Sequence, residues 1–280
     1  MIIRDAIIEG KKNLEAKKIE DARIISKVLM KYILNKDEQY IIISEKETLT
    51  KEHEKKYFDC IQKILNGTPI QYITNNQEFM KLDFYVDENV LIPQPDTEIL
   101  VEEIIKNYKE KNIEILDLCT GSGAIGISLA KYIENSKITC SDISFKAIQI
   151  AKLNAEKNLC HKKMKFIISD MFEKIDPKQY DIIVSNPPYI KTDIIKNLSI
   201  YVQNEPIIAL DGGTDGLDFY KIIAKNSYKF LKSGGKLFLE IGDDQRDQVM
   251  RILEKTDFYN NIECIKDLAG NDRVVVAERR

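Results

Sequence analysis

The sequence contains few of the residues that metal sites and histidine-based catalysis require. Its 280 residues include no tryptophan, two histidines and five cysteines, and no two cysteines form a Cys-x-x-Cys pair. Structural zinc and disulfide frameworks depend on such pairs, so we expect no metal and reduced thiols in a cytoplasmic protein. A hydrolase would have to use His53 or His161, and neither accompanies a nucleophile motif.

Long apolar runs and an excess of basic residues are also missing. No segment approaches the roughly 18 apolar residues that a membrane-spanning helix needs, and the charged N-terminal segment does not resemble a signal peptide. The 42 Lys and Arg are balanced by 45 Asp and Glu, for a net charge of −3. Because nucleic-acid binding relies on clustered basic side chains, we expect neither membrane nor direct nucleic-acid binding.

The spacing of apolar residues divides the chain into two domains and a linker. Over residues 1–70 they recur every three or four positions, which predicts a small helical domain. Over 71–93 the period shortens towards two, which predicts a β-hairpin linker with strands within 78–86 and 90–92. Asp96 is expected to cap the helix that follows the linker.

Strand and helix patterns alternate from residue 94 to residue 280. The predicted strands are 113–118, 137–141, 165–168, 181–185, 236–241 and 274–278. Alternation of this kind predicts an α/β, Rossmann-like domain, in which helices cover both faces of a parallel sheet. Ligands of such sheets bind beyond the carboxyl ends of the strands.

A glycine-rich loop follows the first of these strands. Gly121, Gly123 and Gly126 fit the pattern G-x-G-x-x-G, and Asp142 follows about 20 residues after the first glycine. The glycines allow close approach of a ligand and the carboxylate suits ribose hydroxyls, which fits NAD and S-adenosylmethionine alike. Asp117, directly before the loop, favours a cationic ligand such as the amino group and sulfonium of S-adenosylmethionine.

The ends of two later strands carry further candidates. Asp170 is suited to the amino group of adenine, and Met171 to a ring face. In Asn186-Pro187-Pro188-Tyr189, the prolines align the Asn186 side chain and the Pro187 carbonyl as two acceptors for an NH2 group beside the Tyr189 ring. This motif predicts methyl transfer to an amide or aryl amine nitrogen and leaves the substrate open.

Taken together, these segments resemble the protein-(glutamine-N5) methyltransferases of the HemK/PrmC family, which modify bacterial peptide chain release factors. The resemblance covers most of the chain and rests on segments 67–73, 91–98, 117–126, 186–189, 205–206, 213–217, 239–242 and 270–273. The segment 91–98 is specific to the family, whereas Asn-Pro-Pro-Tyr also occurs in adenine-N6 and guanine-N2 methyltransferases.

The resemblance implies a methyl donor, a substrate and a set of site residues. S-adenosylmethionine, converted to S-adenosylhomocysteine, would be held by Asp117, Cys119, Thr120, Gly121, Ser122, Gly123, Asp142, Asp170, Met171 and Asn186. The catalytic residues would be Asn186, Pro187, Pro188 and Tyr189, which hold the glutamine amide of a Gly-Gly-Gln loop. The domain of residues 1–70 would dock the release factor, and we expect the enzyme to be a monomer.

Three positions depart from the family pattern. Gln94 stands where the family usually has Arg, so any contact of that Arg is in doubt. Asn75 replaces a common Gly, which is tolerable because Asn accepts positive φ. Cys119 replaces the first glycine of the loop, where a small side chain should fit without acting as a nucleophile.

Three alternatives remain open on the sequence. A nucleic-acid methyltransferase acting on adenine N6 or guanine N2 would stack a flipped base on Tyr189 but would need a basic surface. An NAD-dependent oxidoreductase fits the glycine loop but lacks a catalytic His or a Tyr-Lys pair. A non-catalytic binding protein would have no need of the intact motif at 186–189.

Overall fold

The computed structural model describes residues 1–280, which form two compact units. The first unit contains residues 1–75 and 199–204, and the second contains residues 76–198 and 205–280. The residues predicted as a linker are divided between them, because 71–75 belong to the first unit and the hairpin belongs to the second. No helix combines the length and apolarity needed to cross a membrane.

The chain forms twelve α-helices and nine strands. The helices are α1 (Ile3–Ala16), α2 (Ala22–Leu34), α3 (Glu38–Ile43), α4 (Lys51–Leu65), α5 (Ile70–Thr74), α6 (Glu98–Tyr108), α7 (Ala124–Tyr132), α8 (Phe145–Lys157), α9 (Thr192–Ile195), α10 (Ile200–Gln203), α11 (Asp218–Asn226) and α12 (Arg246–Glu254). The strands are β1 (Gln77–Phe79), β2 (Leu82–Phe84), β3 (Ile113–Leu118), β4 (Ser136–Asp142), β5 (Met164–Ile168), β6 (Tyr180–Ser185), β7 (Leu231–Glu240), β8 (Tyr259–Lys266) and β9 (Asp272–Arg279).

The first unit is helical, as the apolar spacing predicts. Its core contains Leu14 of α1, Leu29 of α2 and Ile61 of α4, all fully buried. The hydroxyl of Tyr57 lies inside this core and donates to the Ser26 carbonyl at 3.2 Å, which satisfies its polar end. The short helix α3 was not predicted, because a single turn and a half is too brief for the helical period to be recognised.

The second unit is built on a seven-stranded sheet in the order β5-β4-β3-β6-β7-β9-β8. The first five of these strands are parallel, whereas β9 runs antiparallel to both β7 and β8. The Rossmann-like α/β architecture is confirmed. Strand β8 was missed, because it lies at the sheet edge and its largely polar, exposed residues hide the strand pattern.

The strand order places two loops side by side. The chain adds β4 and β5 on one side of β3 and then returns to place β6 on the other side. Leu118, the last residue of β3, is in register with Ser185, the last residue of β6. The segments that begin at Cys119 and Asn186 therefore leave the sheet next to each other, at the switch in strand order where ligands bind.

Two local predictions are wrong. Residues 90–92 form no strand, because the Ile92 N–H donates to the carboxylate of Glu205 at 2.9 Å instead of to a neighbouring strand. Asp96 does not cap α6, which begins at Glu98 after a 3-10 turn. The Asp96 carboxylate instead forms an ion pair with Arg273 at 3.1 Å.

Candidate active site

A cavity of about 360 Å³ opens at the carboxyl ends of the central parallel strands. Its volume lies within the range of about 300–1,000 Å³ that is usual for ligand pockets. Seven of the predicted site residues line it: Cys119, Gly121, Asp142, Asp170, Met171, Asn186 and Pro188. Residues at or just beyond the carboxyl ends of four different strands thus converge on one site.

The glycine loop leaves open space on the cavity side. Gly121 has a φ of +54°, and a Cβ placed on it would have no neighbour within 4 Å. Its N–H donates to Asp142 Oδ2 at 2.9 Å, and the N–H of Ser144 donates to Asp142 Oδ1 at 2.9 Å. Burial raises the pKa of Asp142, while these backbone hydrogen bonds oppose the shift. The loop and the carboxylate therefore form one fixed unit at the cavity wall.

Asp117 lies beneath the loop and does not line the cavity. It is fully buried, and its Oδ2 accepts hydrogen bonds from Thr120 Oγ1 at 2.5 Å and from the Gly126 N–H at 3.0 Å. Its Oδ1 has no hydrogen-bond partner. Burial raises the pKa of Asp117 to about 7, against these hydrogen bonds. The geometry makes Asp117 a support of the loop, and direct contact with a ligand stays a prediction.

Cys119 occupies a left-handed backbone conformation, with a φ of +58°. Its Sγ lies 3.9 Å from the Sδ of Met171, so the two sulfur atoms form a continuous apolar surface at the cavity. Burial raises the pKa of the Cys119 thiol, and the nearby charge of Asp142 raises it further. The thiol therefore stays protonated and is unsuited to nucleophilic attack.

Apolar residues that the motifs did not predict complete the cavity. Phe219 and Ile222 of α11 line it, as do Pro206 and Ile208. Flat apolar walls beside the carboxylates of Asp142 and Asp170 fit an adenosyl group, whose ring is apolar and whose ribose and amino group donate hydrogen bonds. No local motif marks these four residues, because their positions depend on how α11 and the loop pack.

The segment 186–189 follows β6 directly. The Asn186 Nδ2 donates to Thr97 Oγ1 at 3.3 Å, and Asn186 lines the cavity. Pro187 and Pro188 are buried. The Tyr189 carbonyl accepts a hydrogen bond from Gln245 Nε2 at 2.9 Å, which fixes the end of the segment.

Six predicted site residues do not line the cavity: Asp117, Thr120, Ser122, Gly123, Pro187 and Tyr189. Thr120 and Ser122 are buried within the loop, where the Thr120 N–H donates to the Ser141 carbonyl at 3.0 Å. Burial also raises the pKa of the Tyr189 hydroxyl, so the phenol stays neutral. Their contacts within the loop and segment hold the backbone that faces the cavity.

Two buried amides that hold the site were not predicted from the sequence. Asn154 of α8 donates to the Tyr85 carbonyl at 3.0 Å and to the Ser122 carbonyl at 2.9 Å, and its Oδ1 accepts from the Tyr85 N–H at 2.7 Å. It thereby joins the chain after the hairpin to the glycine loop. Gln245 donates to the Gly216 carbonyl at 3.1 Å as well as to Tyr189. No sequence pattern distinguishes these amides from polar surface residues.

The chain before α6 is fixed to the segment that follows residue 204. Glu205 is buried and its carboxylate accepts from the Ile92 N–H, while burial raises its pKa to about 7. Gln94, the departure from the family pattern, donates from Nε2 to the Ile92 carbonyl at 2.9 Å. The amide thus stabilises the local turn and forms no ion pair.

Two family models match the chain. The model of the methyltransferase small domain matches residues 94–266, and that of the PrmC N-terminal domain matches residues 5–74. The chain is 44% identical over its full length to a release factor glutamine methyltransferase of Clostridium acetobutylicum, covering 99% of that protein. It is 41% identical to the protein of the same name from Clostridium botulinum, with full coverage of both chains.

The fold also matches solved structures. A methyltransferase from Pyrococcus furiosus superposes with a TM-score of 0.55 at 18% sequence identity, covering 79% of this chain and 98% of that one. At this level of identity the likeness concerns the fold.

Proposed function

The chain belongs to the release factor glutamine methyltransferase family, and we infer that it methylates a glutamine side chain of peptide chain release factors with S-adenosylmethionine as donor. The acceptor atom is the amide nitrogen, N5, of the glutamine in the Gly-Gly-Gln motif. The observation that carries this assignment is the full-length similarity, together with a cavity that brings the glycine loop and Asn186 to one site.

The cavity residues fit the methyl donor. S-adenosylmethionine, when bound, supplies a methyl group activated by its sulfonium. Asp142 would hold the ribose, while Asp170, Met171 and Phe219 would surround the adenine. Cys119 and Gly121 would face the remainder of the S-adenosylmethionine molecule. Support comes from the open space over Gly121 and from the presence of both carboxylates and apolar side chains in the cavity lining. Asp117, Thr120, Ser122 and Gly123 would maintain the shape of the loop.

Asn186 and Pro187 would hold the glutamine amide. Asn186 already donates through Nδ2 to Thr97, so its Oδ1 is the end left for the substrate NH2 group. With the Pro187 carbonyl it would offer two aligned acceptors, and Tyr189 would lie against the amide plane. Such acceptors orient the weakly nucleophilic nitrogen, and catalysis rests on positioning and on aligned dipoles. No strong base is needed, because the methylated nitrogen becomes acidic enough to lose its proton.

The helical first unit would dock the release factor. This role is supported by the match of residues 5–74 to the PrmC N-terminal domain. The enzyme would act as a monomer and would make no direct contact with nucleic acid, in agreement with a net charge of −3.

The assignment is tested by incubating the protein with S-adenosylmethionine and the release factors of the same organism. Mass spectrometry of the proteolysed release factor should show one added methyl group on the Gln of the Gly-Gly-Gln peptide. Parallel reactions with ribosomal RNA and DNA should show no added methyl group. Methylation of the nucleic acid in place of the release factor would overturn the assignment.

A further inference from the structure

A buried carboxyl lies beside Asn186 and has no role in the reaction as described so far. Glu240 ends β7, within the segment 239–242, and is 2% exposed. Its Oε2 has no hydrogen-bond partner. An acidic side chain without a full set of partners is costly in a protein interior, so its presence at the site calls for a function.

Glu240 and Thr97 both lie beside Asn186, because Ser185 of β6 is in register with Leu239 of β7 and Asn186 forms a hydrogen bond with Thr97. Thr97 is 5% exposed and accepts the hydrogen bond from Asn186 Nδ2. Burial raises the pKa of Glu240, whereas hydrogen bonding with the side chains of Thr97 and Asn186 lowers it. Thr97 lies directly before α6, Asn186 directly follows β6 and Glu240 ends β7, and β6 and β7 are neighbours in the sheet.

The chemistry of these groups sets the direction of the hydrogen bonds. An amide side chain has nearly the same shape after a half-turn, so its neighbours decide which end faces the cavity. A hydroxyl can donate or accept, and Thr97 alone therefore selects neither end. An ionised carboxylate only accepts, so it draws the Thr97 proton towards itself and leaves the Thr97 oxygen to accept from the Asn186 NH2 group.

We propose that Glu240 and Thr97 are positioning residues that lock the Asn186 amide with its nitrogen inward and its oxygen towards the substrate. This inference rests on the proposed function and deepens it. The reverse orientation would present an NH2 group to the NH2 group of the substrate, and the two donors would repel each other.

The lock depends on the charge of Glu240. Burial raises the pKa of Glu240 to about 7. Arg273 lowers this pKa and Asp96 raises it, and Arg273 itself pairs with Asp96 and with Asp267 at 3.1 Å. Tyr189 and Tyr220 also lie near, and burial keeps both phenols neutral. Once protonated, Glu240 is able to donate to Thr97 and the direction of the bonds is no longer fixed. The rate of methyl transfer is therefore expected to rise as the pH increases through about 7.

The kinetic test uses a matched pair at one position. Thr97→Val removes the hydroxyl at nearly constant shape, whereas Thr97→Ser retains it. The Thr97 side chain makes no capping hydrogen bond to α6, so the start of this helix does not depend on that hydroxyl. We expect Thr97→Val to lower kcat on the release factor by about 10- to 100-fold without a change in S-adenosylmethionine affinity. Thr97→Ser should recover most of the rate. Equal rates for Val and Ser would overturn the proposal.

Glu240→Gln tests the charge directly. It should lower kcat and remove the rise with pH that the wild type shows. A pH profile with the wild-type shape in Glu240→Gln would contradict the proposal.

A spectroscopic measurement on the wild type needs neither activity nor a stable variant. In protein labelled with 15N-asparagine, the side-chain NH2 signals of Asn186, assigned by their loss in Asn186→Ala, should shift with the titration of Glu240. Signals that do not move with pH would overturn the proposal, whereas a wild type that fails to methylate release factors would overturn only the proposed function.

Discussion

Cys119 shows how a single backbone conformation shapes the glycine loop. A residue with a Cβ pays about 1–2 kcal/mol in the left-handed region, and Cys119 adopts it at a φ of +58°. The position accepts cysteine because the thiol packs against Met171 at the cavity wall. The sulfur contact thus offsets part of the strain.

Replacement of Cys119 separates the backbone strain from the sulfur contact. Cys119→Gly removes the strain and Cys119→Ala keeps it, while both remove the sulfur. We expect the Gly variant to be more stable than the Ala variant by up to about 1 kcal/mol, after allowance for the greater freedom of glycine in the unfolded chain. Urea unfolding of both variants measures this difference. An Ala variant at least as stable as the Gly variant would show that the loop is unstrained here.

At the residue scale, the sequence predicts those groups whose place is set by their own neighbours in the chain. Asp142 ends β4, Asn186 directly follows β6 and Gly121 lies in the loop after β3, so a correct strand prediction brings them to the cavity. Glu240 and Gln245 act through partners more than 50 residues away in the sequence, such as Asn186 and Tyr189. Only the fold brings such partners together.

At the scale of elements, the segment between Tyr189 and α11 contributes to both units. Its residues 199–204 belong to the first unit, where Asn204 Nδ2 donates to the Gly67 carbonyl at 2.8 Å and Tyr201 donates to the Ile64 carbonyl at 3.3 Å. Glu205 follows directly and binds the Ile92 N–H. Specific hydrogen bonds therefore fix the segment between Tyr189 and α11.

Gly67 tests how residues 199–204 are held. A Cβ there would lie 2.6 Å from Ile200 Cγ1 and 2.8 Å from Asn204 Nδ2, at a φ of +90°. We expect Gly67→Ala to displace α10 and to speed amide hydrogen exchange over residues 199–204.

Gly234→Ala provides the matched control for Gly67→Ala. Gly234 also has a positive φ, of +73°, but a Cβ there would meet no atom within 4 Å. This control should leave exchange over 199–204 unchanged. Amide exchange over 199–204 that is as slow in Gly67→Ala as in the wild type would mean that the close packing around Gly67 does not hold this segment.

The hairpin illustrates why element boundaries are harder to predict than element types. The alternating pattern indicates strands, but β1 and β2 contain three residues each, and Met80 and Lys81 form the turn with positive φ. Neither Met80 nor Lys81 is a usual turn former, so no turn residue marks this position of the chain. Val90 and Ile92 are buried and Leu91 between them lines the cavity, so this apolar run packs as an irregular segment and not as a strand.

At the scale of the whole molecule, the parallel sheet was predictable because alternation of strands and helices constrains the topology strongly. The edge strand β8 escaped because its burial pattern is irregular. In the second unit, burial raises the pKa of three carboxyls, Asp117, Glu205 and Glu240, to about 7 each.

The raised pKa values of these carboxyls make the free energy of unfolding depend on pH. In the unfolded chain their pKa values lie near 4, so between about pH 5 and 7 the folded protein binds more protons than the unfolded one. The free energy of unfolding should therefore fall as pH rises through this range. Glu205→Gln, which can still accept from the Ile92 N–H, should make the decline shallower.

Urea midpoints at a series of pH values measure this effect. The exposed residue Asp193 provides a control, since Asp193→Asn should leave the slope as in the wild type. A slope that is the same in Glu205→Gln and in the wild type would contradict a raised pKa at Glu205.

The central claim is that Asn186 holds the glutamine amide of the release factor for methyl transfer. The most direct measurement is the single-turnover rate of Asn186→Ala on an intact release factor, with S-adenosylmethionine affinity measured by calorimetry in parallel. We expect the rate to fall by about 10²-fold or more, since a polar group aligned with the reacting amide is lost, while the affinity remains close to that of the wild type. A near-normal rate of glutamine methylation in Asn186→Ala would contradict the claim.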